Sequence, residues 1–480
     1  MTSWYLDNVR VVGADAPTAL VIRDGVLQAP GSDTSGLERL DLDGRWVMPG
    51  LWDKHVHFTQ WAIVRRRLDV SQATSAHAAA QIVAARLVAE YNHSEPLIGF
   101  GFRDSLWDDH ANAEVLDAVA PERPVVLLSG DMHACWVNSA AQRRFQLSTA
   151  GLVREHEAFA LQMRLDREAP GDEDVAFSSA AADAASKGIV GIVDLEMAQN
   201  LDGWAHRISH GLHAFRVRSG FYPQEFDARI AAGLRTGATI EGTNGLLSIG
   251  PLKLITDGSL NTRTAYCHEP YPGTSHHGDL TISADDTAQY LSRATDAGFS
   301  VAVHALGDAA VTHALDAFRD TGAQGSVEHA QLVAHTDLAR FRESGVTASV
   351  QPAHLWDDRD ATAKHWHDRA DRCFPFASLR AAGAQIVLGS DAPVAPLDPW
   401  RAIAAAVHRS ADDREPWNQT EALTRAEALA ASVDGRSLQP GDPADLIALE
   451  DNPLACTPEE LMDMAVAATV VGGEFTHWSL

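Results

Sequence analysis

Cysteine is scarce in this chain of 480 residues, and the four cysteines that occur lie far apart. They are Cys135, Cys267, Cys373 and Cys456. No two of them form a Cys-x-x-Cys pair. A disulfide framework and a zinc site built from thiolates are therefore not expected.

Basic residues are also few, with 38 Lys and Arg against 65 Asp and Glu, so the formal net charge is −27. Nucleic acids and anionic membranes attract proteins with basic patches. We therefore expect neither a nucleic acid nor a membrane as a partner. The negative charge does not identify a substrate, because a solvated surface can carry all of it.

Long apolar runs are absent, and no stretch reaches the length needed to span a bilayer. The first residues, Met-Thr-Ser-Trp-Tyr-Leu-Asp, lack a basic segment followed by an apolar one. The hydrophobic fraction of 45% is typical of a globular protein with a large core. These features predict a soluble cytoplasmic protein with reduced thiols.

The middle of the chain alternates between alanine-rich segments with helical spacing and short β-branched runs. The predicted helices are Ala73–Glu90, Val175–Lys187, Pro223–Leu234, Ala284–Ala297, Ala309–Asp320, His335–Ser344, Pro399–Ser410 and Glu421–Ala431. The predicted strands are the one ending at His57, then Ile189–Val193, Phe215–Val217, Leu252–Ile255, Phe299–Val303, one around Val327, Val346–Val350 and Ile386–Leu388. Eight strands alternating with helices predict an α/β fold, a parallel (β/α)8 TIM barrel.

Both ends of the chain are rich in strand signals, which predicts a small β-sandwich domain built from residues 1–52 and 437–480. The barrel would then occupy residues 53–436. Too many residues separate the first two strands for one strand–helix unit. We therefore interpret residues 64 to about 172 as an insertion that forms a lid or a wall of the substrate pocket.

Two histidines, His55 and His57, end the apolar segment that begins at Pro49. Side chains at positions i and i+2 of a strand point to the same face, so both imidazoles can reach one metal ion. The spacing alone is weak evidence, because 22 histidines give about one such pair by chance. A second pair, His365 and His367, lies in a charged stretch that we interpret as solvated.

Four further polar residues follow or lie in the predicted strands: Lys253, His304, His329 and Asp391. Each has a structural explanation on its own, since a histidine can be a hydrogen-bonded core residue, Asp391 can cap a helix and Lys253 can extend to the surface. The catalytic groups of such barrels come from the carboxyl ends of several strands. The set as a whole therefore favours an active site.

Several motifs resemble the amidohydrolase superfamily. They are Pro-Gly-Leu-Trp-Asp-Lys-His-Val-His (49–57), Val-His-Ala-Leu-Gly-Asp (303–308), Glu-His-Ala-Gln (328–331), Gly-Ser-Asp-Ala-Pro-Val (389–394) and Gly-Asp-Pro-Ala-Asp-Leu (441–446). Residues 253–265, together with Asp131-Met-His133 and Val137-Asn-Ser139, are similar to the branch that contains N-substituted formamide deformylases. The resemblance covers essentially the whole chain.

The resemblance implies a site for two metal ions, expected to be zinc. Its implied ligands are His55, His57 and Asp391 for one ion, His304 and His329 for the other, and Lys253 as a bridging Nζ-carboxylate. The family also includes sites with one metal, so the number of ions stays open. Asp391 would act as the catalytic general base and then as the general acid.

The function implied is hydrolysis of a non-peptide amide C–N bond, of the N-formyl or N-acyl amine type, by metal-activated water. The alternatives are a cyclic-amide or ester hydrolase on the same site, and a catalytically silent metal-binding regulatory protein. The partner would be a small-molecule amide, and a homodimer is left open. Loop residues expected to contact the substrate are His133, Arg263, Gln351, His354 and Trp356. Trp61, Trp107, Trp136 and Trp356 suggest an aromatic pocket.

Overall fold

The computed structural model describes residues 3–89, 95–167, 173–411 and 414–479. Glu90, the end of one predicted helix, lies outside the described residues. Residues 168–172 of the predicted insertion, and residues 1–2 and 480 of the predicted terminal domain, also lie outside them. Within the described ranges, no helix is both long enough and apolar enough to cross a membrane.

Eight parallel strands form the central barrel. In chain order, barrel strands 1 to 8 are Leu51–Val56, Ile189–Asp194, Arg216–Phe221, Leu247–Ile255, Val301–Ala305, Gly325–His329, Thr347–Val350 and Gln385–Leu388. Each strand pairs in parallel with the next one along the chain. A parallel bridge between Val56 and Ala392 joins the last strand's end to the first. The predicted (β/α)8 barrel is confirmed.

The helices that follow the barrel strands have local sequence signals for their ends. In Ala284–Ala297, the Ser283 side chain accepts a hydrogen bond from the Asp286 backbone, and Gly298 ends the helix with φ +76°. The helices outside the insertion are Phe58–Val64, Glu173–Ser186, Leu201–Ser209, Pro223–Ala231, Ala284–Ala297, Asp308–Thr321, Leu338–Ser344, His354–His365, Phe376–Ala381, Pro399–His408, Arg425–Ala430 and Pro458–Met462. All eight predicted helices have a counterpart, with ends shifted by a few residues.

Between barrel strands 1 and 2 the chain forms a second, five-stranded sheet. Its strands are Leu68–Asp69, Leu97–Phe102, Val125–Ser129, Ala134–Val137 and Gly151–Arg154. The first three pair in parallel, and the fourth pairs antiparallel with both the third and the fifth. Its helices are Ala76–Ala89, Ala113–Asp117, Ser139–Phe145 and Glu155–Arg167. This unit has its own apolar clusters. It lies at the place of the predicted insertion, and we call it the insertion.

Polar contacts hold the insertion against the loop after barrel strand 4. The Ser259 hydroxyl donates to Asp131 at 2.7 Å, and the Thr264 hydroxyl donates to Glu155 at 2.7 Å. Both acceptors belong to the insertion and both donors to the barrel. The insertion therefore lies over the carboxyl ends of the barrel strands.

Strands from both ends of the chain form a separate β unit. They are Trp4–Val11, Thr18–Arg23, Val26–Leu27, Glu38–Asp41, Trp46–Pro49, Leu446–Leu449, Val466–Val471 and Glu474–Trp478. Trp46–Pro49 pairs antiparallel with Leu446–Leu449. Trp4–Val11 pairs with Thr18–Arg23 between Trp4 and Val9, and with Trp46–Pro49 through its last two residues. The strands connect into one eight-stranded sheet, and one apolar cluster joins residues from both ends of the chain.

An ion pair fastens this β unit to the barrel. Arg216 of barrel strand 3 donates to Asp445 through Nε at 2.6 Å and through Nη2 at 2.9 Å. The backbone N–H of Gly472 donates to the same carboxylate at 2.7 Å. Asp445 is buried, so this bidentate contact fixes the orientation of the two units.

Candidate functional site

Barrel strands 1 and 8 bring two histidines to one carboxylate. His55 lies in strand 1, His57 follows it, and Asp391 lies three residues after strand 8. The Nε2 atoms of His55 and His57 are 3.3 Å and 3.2 Å from Asp391 Oδ1. Although burial opposes ionisation, the two imidazoles hold the pKa of Asp391 well below its usual range. The three side chains therefore form a compact set around an ionised carboxylate.

A buried carboxylate, Asp53, fixes the backbone that carries these ligands. It accepts the N–H of His55 at 3.0 Å and the N–H of Ser390 at 3.0 Å and 3.1 Å. Burial raises the pKa of Asp53 to about 7 despite these hydrogen bonds. Asp53 was not among the predicted site residues. Its position two residues before His55 in a strand does indicate that both side chains lie on the same face.

Glu328 fixes the ring of His55. The Nδ1–H of His55 donates to Glu328 at 2.7 Å, and the side chains are 1% and 2% exposed. Burial lowers the pKa of His55. The hydrogen bond to His55 holds the pKa of Glu328 below its usual range, although burial opposes this. A neutral imidazole thus binds an ionised carboxylate and directs the Nε2 lone pair into the site. Sequence analysis missed this residue, although it precedes His329 directly.

His304 and His329 meet on the opposite side of the site. Their ring centroids are 4.4 Å apart, and that of His329 is 5.0 Å from that of His55. Burial lowers the pKa of both residues well below the usual value, so both rings are neutral. Neither nitrogen of His329 has a hydrogen-bond partner among the residues that the structure describes.

Lys253 lies within barrel strand 4 and is 1% exposed. Its Nζ is 3.2 Å from Nε2 of His55. Burial lowers the pKa of this amine from its usual value. The lysine therefore reaches the same cavity as the histidines.

His354 also reaches this site. Its Nε2 is 3.9 Å from Asp391 Oδ2, and its ring stacks on His329 with centroids 6.2 Å apart. The ligand atoms of His329, His354 and Asp391 lie within 4.8 Å of one another, as do those of His55, His57 and Asp391. Imidazole nitrogens beside a carboxylate are donors that divalent transition metals prefer, so these residues fit a metal ion.

The insertion contributes His133 to the same cavity. Its Nδ1 is 2.9 Å from Glu155 Oε2, and its ring centroid is 6.1 Å from that of His304. Although burial opposes it, the bond to Glu155 raises the pKa of His133 to about 9. Thr262 and Thr264 donate to the other oxygen of Glu155 at 2.9 Å and 2.7 Å. The insertion thus presents a positioned, protonated histidine.

The other predicted substrate contacts lie elsewhere. Gln351 lies behind His55, where its Nε2 donates to the Ser349 carbonyl at 3.2 Å and is 3.4 Å from His55 Nδ1. Arg263 is exposed. Trp356 packs against the main apolar core. None of these three residues lines either of the cavities beside the site.

The predicted aromatic pocket is wrong, because none of its four tryptophans lines the cavities beside the site. Trp61 is buried in an apolar cluster beside barrel strand 1. Trp107 and Trp136 are buried in the core of the insertion. These indoles pack in apolar clusters and not at a cavity, because the burial of their apolar rings is more favourable in free energy than their exposure.

Two cavities open at the carboxyl end of the barrel. One, of about 70 Å³, is lined by His133, His304, His329, His354 and Asp391 together with loop residues. The other, of about 980 Å³, is lined by Lys253, Asp257 and side chains from the insertion and from the loops after strands 1 to 4. The proposed ligands therefore border both cavities.

This barrel, with histidines and an aspartate at the carboxyl ends of its strands, defines a metal-dependent hydrolase. More closely, the chain belongs to the amidohydrolase family, whose model matches residues 38–477. It is 25% identical to YtcJ of Bacillus subtilis (strain 168), over 96% of each chain. It is 24% identical to N-substituted formamide deformylase of Arthrobacter pascens, over 97% of this chain and 96% of that one.

Solved structures share the fold. A metal-dependent hydrolase from Pyrococcus horikoshii OT3 aligns with a TM-score of 0.79 at 24% identity, over 95% of this chain and 99% of that one. A metal-dependent hydrolase from Pyrococcus furiosus aligns with a TM-score of 0.74 at 26% identity, over 94% of this chain and 100% of that one. The predicted superfamily is confirmed.

Proposed function

We propose that the protein hydrolyses a non-peptide amide C–N bond, of the N-formyl or N-acyl amine type, with zinc as its metal. The observation that carries the proposal is the convergence of four histidines, one aspartate and one lysine from barrel strands 1, 4, 5, 6 and 8. The similarity to an N-substituted formamide deformylase supports the choice of bond.

The proposed ligands divide into two groups, and the first has the support of geometry. His55, His57 and Asp391 would hold one ion, since their ligand atoms lie within 4.8 Å of one another. His329 would hold a second ion with His304, and its two unpartnered nitrogens suit that role. Bound divalent ions activate water at neutral pH and polarise a carbonyl group.

Lys253 is proposed to carry an Nζ-carboxylate, which would then be available as a ligand to both ions. An ammonium group beside two divalent cations would be repelled by them. Carbamate formation with CO₂ replaces that positive charge with two anionic oxygens. The burial of Lys253 beside His55 supports this modification, because burial favours the neutral amine, which is the form that reacts.

Asp391 is the proposed proton carrier. As an ionised carboxylate it accepts a proton from the attacking water, and it later delivers that proton to the nitrogen of the departing amine. Glu328 and Asp53 keep the ligands of strands 1 and 8 in place while the proton moves. His133, on the insertion side, lies where it can contact the substrate near His304.

Purified protein, loaded with zinc and with its metal content measured, should be assayed on matched panels. The panels contain N-formyl and N-acetyl amines, cyclic amides and esters. We expect hydrolysis of the N-acyl amines above all, with about two zinc ions per chain in the amidohydrolase arrangement. Preference for cyclic amides or esters would contradict the bond assignment. Stoichiometric zinc without hydrolysis on any panel would contradict catalysis itself.

A further inference from the structure

The larger cavity, of about 980 Å³, opens beside the proposed metal site. Lys253 belongs to its wall, and Nζ of that lysine is 3.2 Å from Nε2 of His55. The cavity therefore lies directly beside the proposed metal site. Its volume is at the upper end of the roughly 300–1,000 Å³ that sites for drug-sized ligands occupy.

One helix of the insertion has two apolar faces. In Glu155–Arg167, the side chains of Ala158, Leu161 and Leu165 are buried in the insertion core. Phe159, Ala160 and Met163 lie on another face and line the cavity. Met163 is 37% exposed, and Ala160 is also exposed. The helix thus presents apolar side chains to the cavity.

The opposite walls are apolar as well. Ile63, Met197 and Ile282 line the cavity from the loops and helices after barrel strands 1, 2 and 4, and all three are half-buried. Methionine side chains adapt to ligands of different shapes. These walls suit an apolar group rather than a polar one.

Two of the carboxylates that reach this cavity already have partners. Glu196 accepts the backbone N–H groups of Gln60 at 3.0 Å and Met197 at 2.9 Å. Glu225 pairs with Arg229 at 2.7 Å. Because these charges are engaged within the protein, they do not select a charged ligand.

We propose that this cavity binds a large apolar substituent of the substrate, and that the insertion helix Glu155–Arg167 sets the size that is accepted. The proposal rests on the proposed function, which places the amide group at the metal site. Substrates with a large apolar group gain the burial of that group, whereas small amides such as N-methylformamide leave the cavity unfilled.

Two variants test the cavity, and one serves as a matched control. Ala160→Trp fills the cavity, and Met163→Glu places a charge on its wall. Val88→Glu places the same charge on a residue of the insertion that is 90% exposed and lies on another helix. Both wall positions are exposed, so thermal unfolding and zinc content should stay those of the unmodified protein.

The substrates are N-methylformamide and N-(1-naphthylmethyl)formamide. We expect each wall variant to lower kcat/KM for the naphthyl substrate by about tenfold or more, mainly through KM, which corresponds to about 1.4 kcal/mol of lost binding. The value for N-methylformamide and both values for Val88→Glu should not change. Equal losses on both substrates, or no loss on either, would overturn the proposal.

Binding of 1-naphthalenemethanol, a neutral fluorescent probe, separates this proposal from the proposed function. If the unmodified protein hydrolyses neither these two amides nor any compound of the panels above but binds the probe, and the two wall variants bind it more weakly than Val88→Glu, then the cavity assignment stands and the proposed function fails. Absence of probe binding by the unmodified protein, or equal binding by all variants, contradicts the cavity assignment whether or not hydrolysis occurs.

Discussion

Replacement of Glu328 should weaken zinc binding although this residue touches no ion. Its carboxylate accepts the Nδ1–H of His55 at 2.7 Å, and Ser326 donates to its other oxygen. The variant Glu328→Gln keeps an acceptor but loses the charge, whereas Glu328→Ala removes both. In each case the ring of His55 is held less firmly with its Nε2 toward the ion.

The expected loss of zinc affinity follows from the burial of His55 and Glu328. Both side chains are at most 2% exposed, so water does not replace the lost partner. A hydrogen bond to a charged group contributes about 1.5–3 kcal/mol, and partners of metal-bound histidines typically change metal affinity by about 10- to 100-fold. We expect about tenfold weaker binding for Glu328→Gln and about 100-fold for Glu328→Ala, by the same principles.

Zinc affinity should be measured by competition with a chromogenic chelator, and bound metal by mass spectrometry after dialysis. Ser326→Ala is the control, because it leaves the hydrogen bond between His55 and Glu328 in place and should cost less than either Glu328 variant. A zinc affinity of Glu328→Ala equal to that of the unmodified protein would refute the orienting role. Circular dichroism must show an intact fold in all three variants.

Three further predictions address catalysis, the substrate and stability. Asp391→Asn should lower kcat by about 10²- to 10⁴-fold, the usual contribution of general acid–base catalysis, while zinc content is retained; full activity would remove the assigned role. His354→Asn should raise KM by about tenfold through loss of a hydrogen bond to the substrate, with unchanged zinc content; loss of one zinc equivalent would instead make His354 a ligand. Asp445→Ala should lower the free energy of unfolding by about 2 kcal/mol in urea titrations, because Arg216 and the Gly472 N–H lose their acceptor. An unchanged urea midpoint would contradict that role of Asp445.

The barrel could be predicted because its strands differ in composition from the helices between them. Runs such as Ile189–Val193 are β-branched and bounded by alanine-rich segments, so the change of hydrophobic period marks each element. The positions of His304 and His329 followed from the strands, since the carboxyl ends of parallel strands share one edge of the barrel. The convergence of these two histidines could therefore be predicted without information on long-range packing.

The surroundings of the site could not be predicted in the same way. Trp107 and Trp136 were expected to line the pocket. The fold of the insertion, with its five-stranded sheet, instead places both side chains in its own core. Gln351 follows barrel strand 7 as a ligand would, yet its amide turns to Ser349 and His55. Side-chain direction in loops depends on tertiary contacts that local patterns do not contain.

The pairing of Trp46–Pro49 with Leu446–Leu449 has a consequence for biosynthesis. The earlier strand leaves the ribosome long before its neighbour exists, and at about 5–20 residues per second the delay is on the order of tens of seconds. During that time its apolar edge has no native partner and can pair with other nascent chains. This edge of the sheet can therefore close only after almost the whole chain has been synthesised.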